Sequence, residues 1–235
     1  MKNHKPPVFL KPISFLTENQ KIFYDKIEDD NNKVILAHGL AGCGKSFISI
    51  QKGLEFLLTR GNTYKKMYVI QPTVDVGNED KLGYLPGNLD QKASEYFEST
   101  EYIVRKILPP EEVNKLMEVG KLKFEVVNFL RGMNLEDCYV IIDEAQNLSP
   151  LQLKTICTRI SDTTKLIIQG DLSQCDKFKS SYQKSGFYDI WHRFSDVCGV
   201  DRIQFGRDDC IRSGIVKRIL ETYGREQFVN LHMVV

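Results

Sequence analysis

The chain has 235 residues, of which 42% are hydrophobic and 27% charged, so it can bury one sizeable α/β core or at most two small ones. Its 32 basic and 31 acidic residues give a formal net charge of +1, which excludes the global basic field of a protein that binds nucleic acid by composition alone. No apolar run is long enough to span a bilayer, no signal-peptide pattern opens the chain, and the six cysteines form no CxxC pair. We therefore expect one domain over residues 1–235 in the reducing cytoplasm, with no zinc site and no membrane partner.

Apolar, β-branched runs alternate with helical patterns along the chain. Six strands are predicted, at 33–37, 67–71, 123–128, 138–143, 165–169 and 202–205. Helices are predicted at 18–28, 45–59, 150–160 and 212–223, with a charge-rich helical insertion at 89–119. Near-continuous apolar strands that alternate with helices are typical of a parallel sheet with both faces covered. The sequence therefore predicts an α/β fold whose core runs from about 15 to 223.

A glycine-rich loop separates the first predicted strand from the second predicted helix. Residues 39–46, GLAGCGKS, fit the pattern G-x-x-x-x-G-K-[ST]. Its glycines let backbone N–H groups converge on phosphate oxygens, and the helix N-terminus adds its dipole. Lys45 is expected to reach the β and γ phosphates, and the hydroxyl of Ser46 to ligate Mg²⁺. The predicted nucleotide site consists of Gly39, Leu40, Ala41, Gly42, Cys43, Gly44, Lys45, Ser46 and Phe47.

A second apolar strand ends in two carboxylates, in VIIDEAQN at 140–147. Asp143 is expected to hold the hydration shell of Mg²⁺, and Glu144 to polarise the attacking water. Taken alone, an acidic pair after an apolar strand is equally typical of a loop with a helix cap. The glycine-rich loop upstream favours the catalytic interpretation.

A third strand ends in LIIQGDLSQCD at 166–176. Gln174 is predicted to reach the γ-phosphate and to sense its loss, as water-positioning glutamines do in other NTPases. The alternative is a Gly-Asp turn that leaves Gln174 exposed. Because the three strand ends are expected to meet at one edge of the sheet, where α/β folds bind ligands, we favour the sensor interpretation.

Four further segments accompany these motifs in a fixed order: QPTVDVG at 71–77, KLGYLPGNLDQK at 81–92, FLRGMNLED at 129–137 and TRISDTTKLIIQGDLSQCD at 158–176. Together with the three motifs they resemble the PhoH family of P-loop ATPases. The resemblance implies a RecA-like core, similar to the first domain of superfamily one helicases, and a Mg²⁺-dependent ATPase associated with RNA or single-stranded DNA. The sequence departs from the family at Cys43 and Ser46, where the family has threonine, and at Gln71, where it often has arginine.

The resemblance also bears on base recognition. Gln20 is similar to the adenine-reading glutamine of helicases, whose amide pairs with a donor and an acceptor of the base. The alternative is a solvated helix glutamine. If Gln20 reads adenine, ATP is the preferred nucleotide.

Assembly into a ring is a further expectation. Superfamily one helicases bind ATP between two RecA-like domains, and the second domain supplies an arginine to the transferring phosphoryl group. Because this chain has length for only one such domain, a second copy is expected to close the site, and the family resemblance implies a hexameric homo-oligomer. Candidate arginines are Arg207 and Arg212 in FGRDDCIRSG, with Arg131 and Arg159 as alternatives. Each is otherwise an ordinary surface arginine, paired with Asp208 or Asp209.

Two other functions stay open from the residues. One is a nucleotide-gated binding or assembly module with negligible hydrolysis, and the weaker one is a nucleotide kinase. Trp191 and Phe194 are interpreted as core aromatics rather than as a base-stacking platform, and His38 as a packing residue at a strand end. The insertion at 89–119 is expected to contact single-stranded nucleic acid or a neighbouring subunit.

Overall fold

A six-stranded parallel sheet forms the centre of the protein. The computed structural model describes residues 10–58, 64–72, 89–130, 132–175, 184–211, 214–216 and 218. Its strands are β1 Val34–His38, β2 Lys66–Gln71, β3 Leu122–Val126, β4 Cys138–Ile142, β5 Lys165–Gly170 and β6 Val200–Gln204. They lie in the order β3-β2-β4-β5-β1-β6, and every pair is parallel. The predicted α/β sheet is thus confirmed, with each strand within a few residues of its predicted position.

Within the described residues, six helices flank the sheet: α1 Glu18–Glu28, α2 Lys45–Leu58, α3 Leu89–Ile107, α4 Pro110–Glu118, α5 Pro150–Cys157 and α6 Gly186–Arg193. The central strands are apolar at successive positions, and successive side chains point to opposite faces, so each face needs its own cover. Helices α1 to α4 pack on the face that includes Ile35, Val69 and Ile167. Helices α5 and α6 pack on the opposite face, which includes Leu36 and Ile168.

The strand order brings the three sequence motifs together. β4, β5 and β1 are neighbours in the sheet, and in a parallel sheet their carboxyl ends lie at the same edge. The glycine-rich loop leaves β1 and enters α2, residues 143–147 follow β4, and residues 171–174 follow β5. The sheet topology alone therefore places the motifs side by side.

Helix α2 approaches the sheet closely at a glycine. A Cβ atom added at Gly53 would lie 2.6 Å from Cε1 of Tyr139 and 2.9 Å from Sδ of Met67. The Tyr139 ring is fully buried, and its hydroxyl donates a hydrogen bond to the carbonyl oxygen of Ser49 at 2.9 Å. Because the Tyr139 ring is buried and its hydroxyl is hydrogen-bonded, the ring cannot move aside, and a residue larger than glycine at position 53 would cause strain.

The structure differs from the predicted helices in two places, and a third prediction is not tested. Helix α6 was not predicted; it is a short helix of eight residues, capped by the hydroxyl of Ser185, and its aromatic residues have little helix preference. The insertion is two helices, because Pro109 and Pro110 cannot continue α3 and instead begin α4. The predicted helix at 212–223 lies largely outside the described residues. Within the described parts of the chain, no helix combines the length and the apolar character needed to cross a membrane.

Candidate nucleotide-binding site

The glycine-rich loop folds around the ammonium group of Lys45. Lys45 Nζ donates hydrogen bonds to the carbonyl oxygens of Gly39 at 2.6 Å and Leu40 at 3.0 Å. Gly42 and Gly44 have φ angles of 91° and 85°, a left-handed conformation that residues with a Cβ rarely adopt. The loop therefore has the backbone that a phosphate cradle requires, with a cation held inside it.

The first turn of α2 is joined to the end of β4 through Ser46. Ser46 Oγ donates a hydrogen bond to Asp143 Oδ2 at 2.9 Å and accepts one from Gln169 Nε2 at 2.9 Å. Gln169 is fully buried, and its amide oxygen accepts a hydrogen bond from Ser49 Oγ at 3.0 Å. A hydroxyl and a carboxylate at this separation are oxygen ligands that Mg²⁺ takes together with phosphates and water, so the residues fit that ion.

Glu144 follows Asp143 in a strained backbone conformation. Its φ is 53°, which is uncommon for a residue other than glycine and recurs at functional sites. Glu144 is exposed at the mouth of the site, yet the surrounding protein desolvates its carboxyl group and raises its pKa, and the charge of Asp143 raises it further. A carboxyl group with a raised pKa beside a phosphate cradle is suited to accept a proton from water.

Gln146 connects the loops after β4 and β5. Its side chain is fully buried, and Nε2 donates to Glu144 Oε2 at 2.6 Å and to the carbonyl oxygen of Gln174 at 3.3 Å. Its Oε1 accepts a hydrogen bond from the N–H of Asp171 at 3.0 Å and would lie 2.7 Å from a Cβ at Gly170. The amide of Gln146 thus fixes Glu144, the candidate general base, relative to Gln174, the candidate sensor of the γ-phosphate. The sequence analysis assigned it no role.

The loop after β5 also contacts the glycine-rich loop. Asp171 Oδ2 accepts a hydrogen bond from the N–H of Ala41 at 3.2 Å, while Oδ1 accepts one from the N–H of Ser173 at 2.9 Å. A cavity of about 260 Å³ lies between these elements. The structure brings five predicted residues to its walls: Lys45, Ser46, Asp143, Glu144 and Gln174.

Helix α3, from the predicted insertion, forms one side of the same cavity. Ser99, Thr100 and Ile103 line it, and Gln71 Nε2 donates a buried hydrogen bond to Thr100 Oγ1 at 2.9 Å. Gln71, whose role was left in doubt because the family often has arginine there, therefore joins the end of β2 to α3. The predicted contact of the insertion with nucleic acid or a second subunit remains a prediction.

Gln20 lies beneath the glycine-rich loop. It is buried rather than solvated; its Oε1 accepts a hydrogen bond from the N–H of Leu16 at 2.8 Å, and its Nε2 donates one to the carbonyl oxygen of Cys43 at 3.1 Å. The solvated alternative is therefore wrong. Gln20 supports the loop from below, with its amide oxygen already bonded within the protein, so the structure does not present that oxygen to adenine.

The Cys43 thiol does not lie open beside the nucleotide site. It is fully buried in the core beside α1, and burial raises its pKa to about 11. Phe47, four residues further along the chain, is 38% exposed and lines the cavity. Because the Cys43 side chain faces the core, the departure from threonine leaves the phosphate cradle unchanged.

Arg207 and Arg159 are the candidate arginines within the described residues, and neither lines this cavity. Arg207 begins a short helical turn, Arg207–Asp209, and lies at the rim of a second cavity. Arg159 follows α5, with a buried Nε that has no hydrogen-bond partner among the described residues. Asp209 accepts hydrogen bonds from Asn19 Nδ2 and the N–H of Gly206. Arg131 and Arg212 lie outside the described residues.

The fold and the site together define a P-loop nucleotide-binding protein with a RecA-like core. The glycine-rich loop between β1 and α2, and Asp143 opposite Ser46 at the carboxyl edge of the sheet, are the features that define this class. The chain belongs to the PhoH family, because the family model "PhoH-like protein" matches residues 12–224.

Relatives of known organisms support this assignment. A PhoH-like protein of Synechocystis is 35% identical over 80% of this chain and 56% of its own length. A PhoH-like protein of Bacillus subtilis is 32% identical over 83% and 59%, and Protein PhoH of Escherichia coli K12 is 32% identical over 90% and 58%. The chain therefore spans a little over half the length of the curated relatives it matches.

A solved structure shows the same fold at low sequence identity. The large terminase of bacteriophage HK97 has a TM-score of 0.54 and 13% identity, and the match covers 92% of this chain and 48% of the terminase chain. This likeness concerns the fold alone.

Proposed function

We propose that this chain is a Mg²⁺-dependent ATPase that couples hydrolysis to action on RNA or single-stranded DNA. The observation that carries the ATPase is the convergence of Lys45, Ser46, Asp143, Glu144 and Gln174 on one cavity. Each residue type matches a role in phosphoryl transfer, and they come from three separate strand ends.

The residues divide the chemistry among them. The loop amides and Lys45 bind the phosphates and balance their charge. Ser46 and Asp143 are the protein ligands for Mg²⁺, which supplies positive charge to the phosphate oxygens when bound. Glu144 orients the attacking water and accepts its proton, because desolvation raises its pKa and so makes the ionised carboxylate a stronger base. Gln174 contacts the γ-phosphate, and the hydrogen bonds of Gln146 keep Gln174 aligned with Glu144.

The proposal includes a homo-oligomer, expected as a hexameric ring, in the cytoplasm. Glu144 is exposed at the mouth of the cavity, so water enters freely unless another surface covers it. A second copy that brings an arginine would close this face and stabilise the transferring charge. Nucleic-acid binding is expected to be modest and salt-dependent, because the net charge of +1 leaves only local patches to contact phosphates.

Phosphate release is the test of this function. The purified chain with ATP and Mg²⁺ is expected to release phosphate, and single-stranded RNA or DNA is expected to change the rate. Lys45→Ala should lose ATP binding and turnover together, whereas Leu151→Ala, on an exposed part of α5, should leave both unchanged. ATP binding without measurable release, with or without nucleic acid, would instead identify a nucleotide-gated binding module.

A further inference from the structure

A second cavity adjoins the nucleotide site. It has a volume of about 850 Å³ and lies at the carboxyl ends of β1 and β6, next to α6. Gly39 and Leu40 belong to its wall, and Asp171 lines both this cavity and the phosphate cavity. Its volume is in the range of ligand sites. We call it the aromatic pocket, after five lining residues that carry a ring: His38, Tyr188, Trp191, His192 and Phe205; Gln204 lines it as well.

Ring systems dominate the wall that α6 contributes. Trp191 is only partly buried, and its ring centroid lies 5.7 Å from that of His38. The rings of Tyr188 and His192 are 4.5 Å apart. Arg202 places its guanidinium carbon 5.5 Å from the Trp191 ring and donates a hydrogen bond to the Trp191 carbonyl oxygen at 2.8 Å. Trp191 is thus held in place on the wall of the pocket by its neighbours.

Polar groups stand beside these rings. Gln204 is exposed, and its amide, which offers a donor and an acceptor side by side, has no hydrogen-bond partner among the described residues. Burial lowers the pKa of His38, and its Nδ1 lies 3.5 Å from the carbonyl oxygen of Gly170, so Nε2 is the ring nitrogen left for a ligand. Flat aromatic walls with a donor-acceptor pair are complementary to a planar heterocycle.

We propose that the aromatic pocket binds a nucleobase. The site rests on the proposed function, because the base has two sources: the nucleotide held in the glycine-rich loop, or a strand of RNA or single-stranded DNA. Both sources present the same chemistry, a flat π-face and a hydrogen-bonding edge. The core interpretation of Trp191 is correct for the part of the ring that packs against the core, and the pocket gives the remainder a role.

The single tryptophan of the chain makes this proposal directly measurable. Trp191 is the one tryptophan in the sequence, so tryptophan emission reports on the pocket alone, and a base that stacks there should quench it. Four ligands are titrated against the full chain: ATP, tripolyphosphate, a decamer of riboadenylate, and an abasic decamer of sugar and phosphate. Quenching by ATP and not by tripolyphosphate identifies the base of the bound nucleotide. Quenching by the riboadenylate and not by the abasic decamer identifies a base of the strand.

A matched pair of variants separates the pocket from general effects. Tyr188→Leu removes a ring from the pocket and should weaken base-dependent quenching about 5- to 100-fold in apparent affinity. Leu151→Ala removes an exposed side chain from α5, outside the pocket, and should leave the quenching unchanged. Equal effects of both variants would contradict the proposal.

Phosphate release in the same samples reports the proposed function separately. Turnover of ATP without base-dependent quenching would overturn the pocket and leave the ATPase intact. Base-dependent quenching without turnover would support the pocket and refute the ATPase. The absence of both base-dependent quenching and turnover would refute both the pocket and the ATPase.

Discussion

Replacing Gln146 by methionine tests how the loops after β4 and β5 are coupled. Methionine has nearly the same volume but no hydrogen-bonding amide, so the core stays filled while three contacts disappear: those with Glu144 Oε2, with the Gln174 carbonyl oxygen and with the Asp171 N–H. Because the hydrogen bond from Gln146 lowers the pKa of Glu144 against the effect of burial, its loss raises that pKa further.

The magnitude follows from the lost contacts. A hydrogen bond to a charged group is worth about 1.5–3 kcal/mol. If that energy serves to position the Glu144 carboxylate towards water in the transition state, its loss lowers kcat by about 10- to 150-fold. The buried Asp171 N–H left without a partner also lowers the free energy of unfolding, by about 1–3 kcal/mol.

The assay is kcat as a function of pH. Activity needs ionised Glu144, so it is lost as pH falls through the raised pKa of that group, and in Gln146→Met the acid limb should lie at higher pH than in the parent. Gln152→Met is the matched control, because Gln152 caps α5 through Ser149 and has no hydrogen bond to Glu144. Gln152→Met should lower the free energy of unfolding without changing the pH at which the acid limb lies. An acid limb at the same pH in Gln146→Met and the parent would refute the coupling.

Three further substitutions give separate predictions. If Gln20 reads adenine, Gln20→Ala narrows the preference for ATP over GTP. If Gln20 only supports the loop, the affinities for ATP and GTP fall by the same factor. Titrations with the two nucleotides distinguish these outcomes. Gly53→Ala should lower the free energy of unfolding, measured in urea, by about 1 kcal/mol, because overpacking costs ~1–3 kcal/mol and the higher helix propensity of alanine returns ~1 kcal/mol. Gly214→Ala is the control: no atom lies within 4 Å of its added Cβ, so the free energy of unfolding should not fall. An arginine supplied by a second subunit is worth ~10³ in rate, so Arg207→Ala mixed with Lys45→Ala should recover activity at mixed interfaces; a fully active monomer in light scattering would contradict this.

The strands were predictable because burial on both faces leaves an unbroken apolar run. The same rule located the site, since Asp143 and Asp171 each end such a run. Helix α6 was missed because it has only eight residues and owes its conformation to the Ser185 cap and to packing against α5. Tertiary contacts, and not helix propensity, determine such a segment.

The residues missed in the site are two glutamines, Gln146 and Gln169. Each is fully buried, and Gln169 lies within a strand whose other central residues are apolar. A polar residue inside a buried run is a signal that a partner exists, because a buried amide must be hydrogen-bonded. The sequence cannot name the partner, since Ser46 is 123 positions away. The burial of Gln20 was not predictable for the same reason: its partners became visible only with the loop in place.

ATP binding and turnover of Glu144→Gln, measured on one preparation, test the central claim most directly. The amide keeps the shape of the side chain but cannot accept a proton from water, while the loop, Lys45 and Ser46 are unchanged. The account predicts ATP affinity within a few-fold of the parent and a loss of turnover of about 10²-fold or more. Turnover equal to that of the parent would contradict Glu144 as the base.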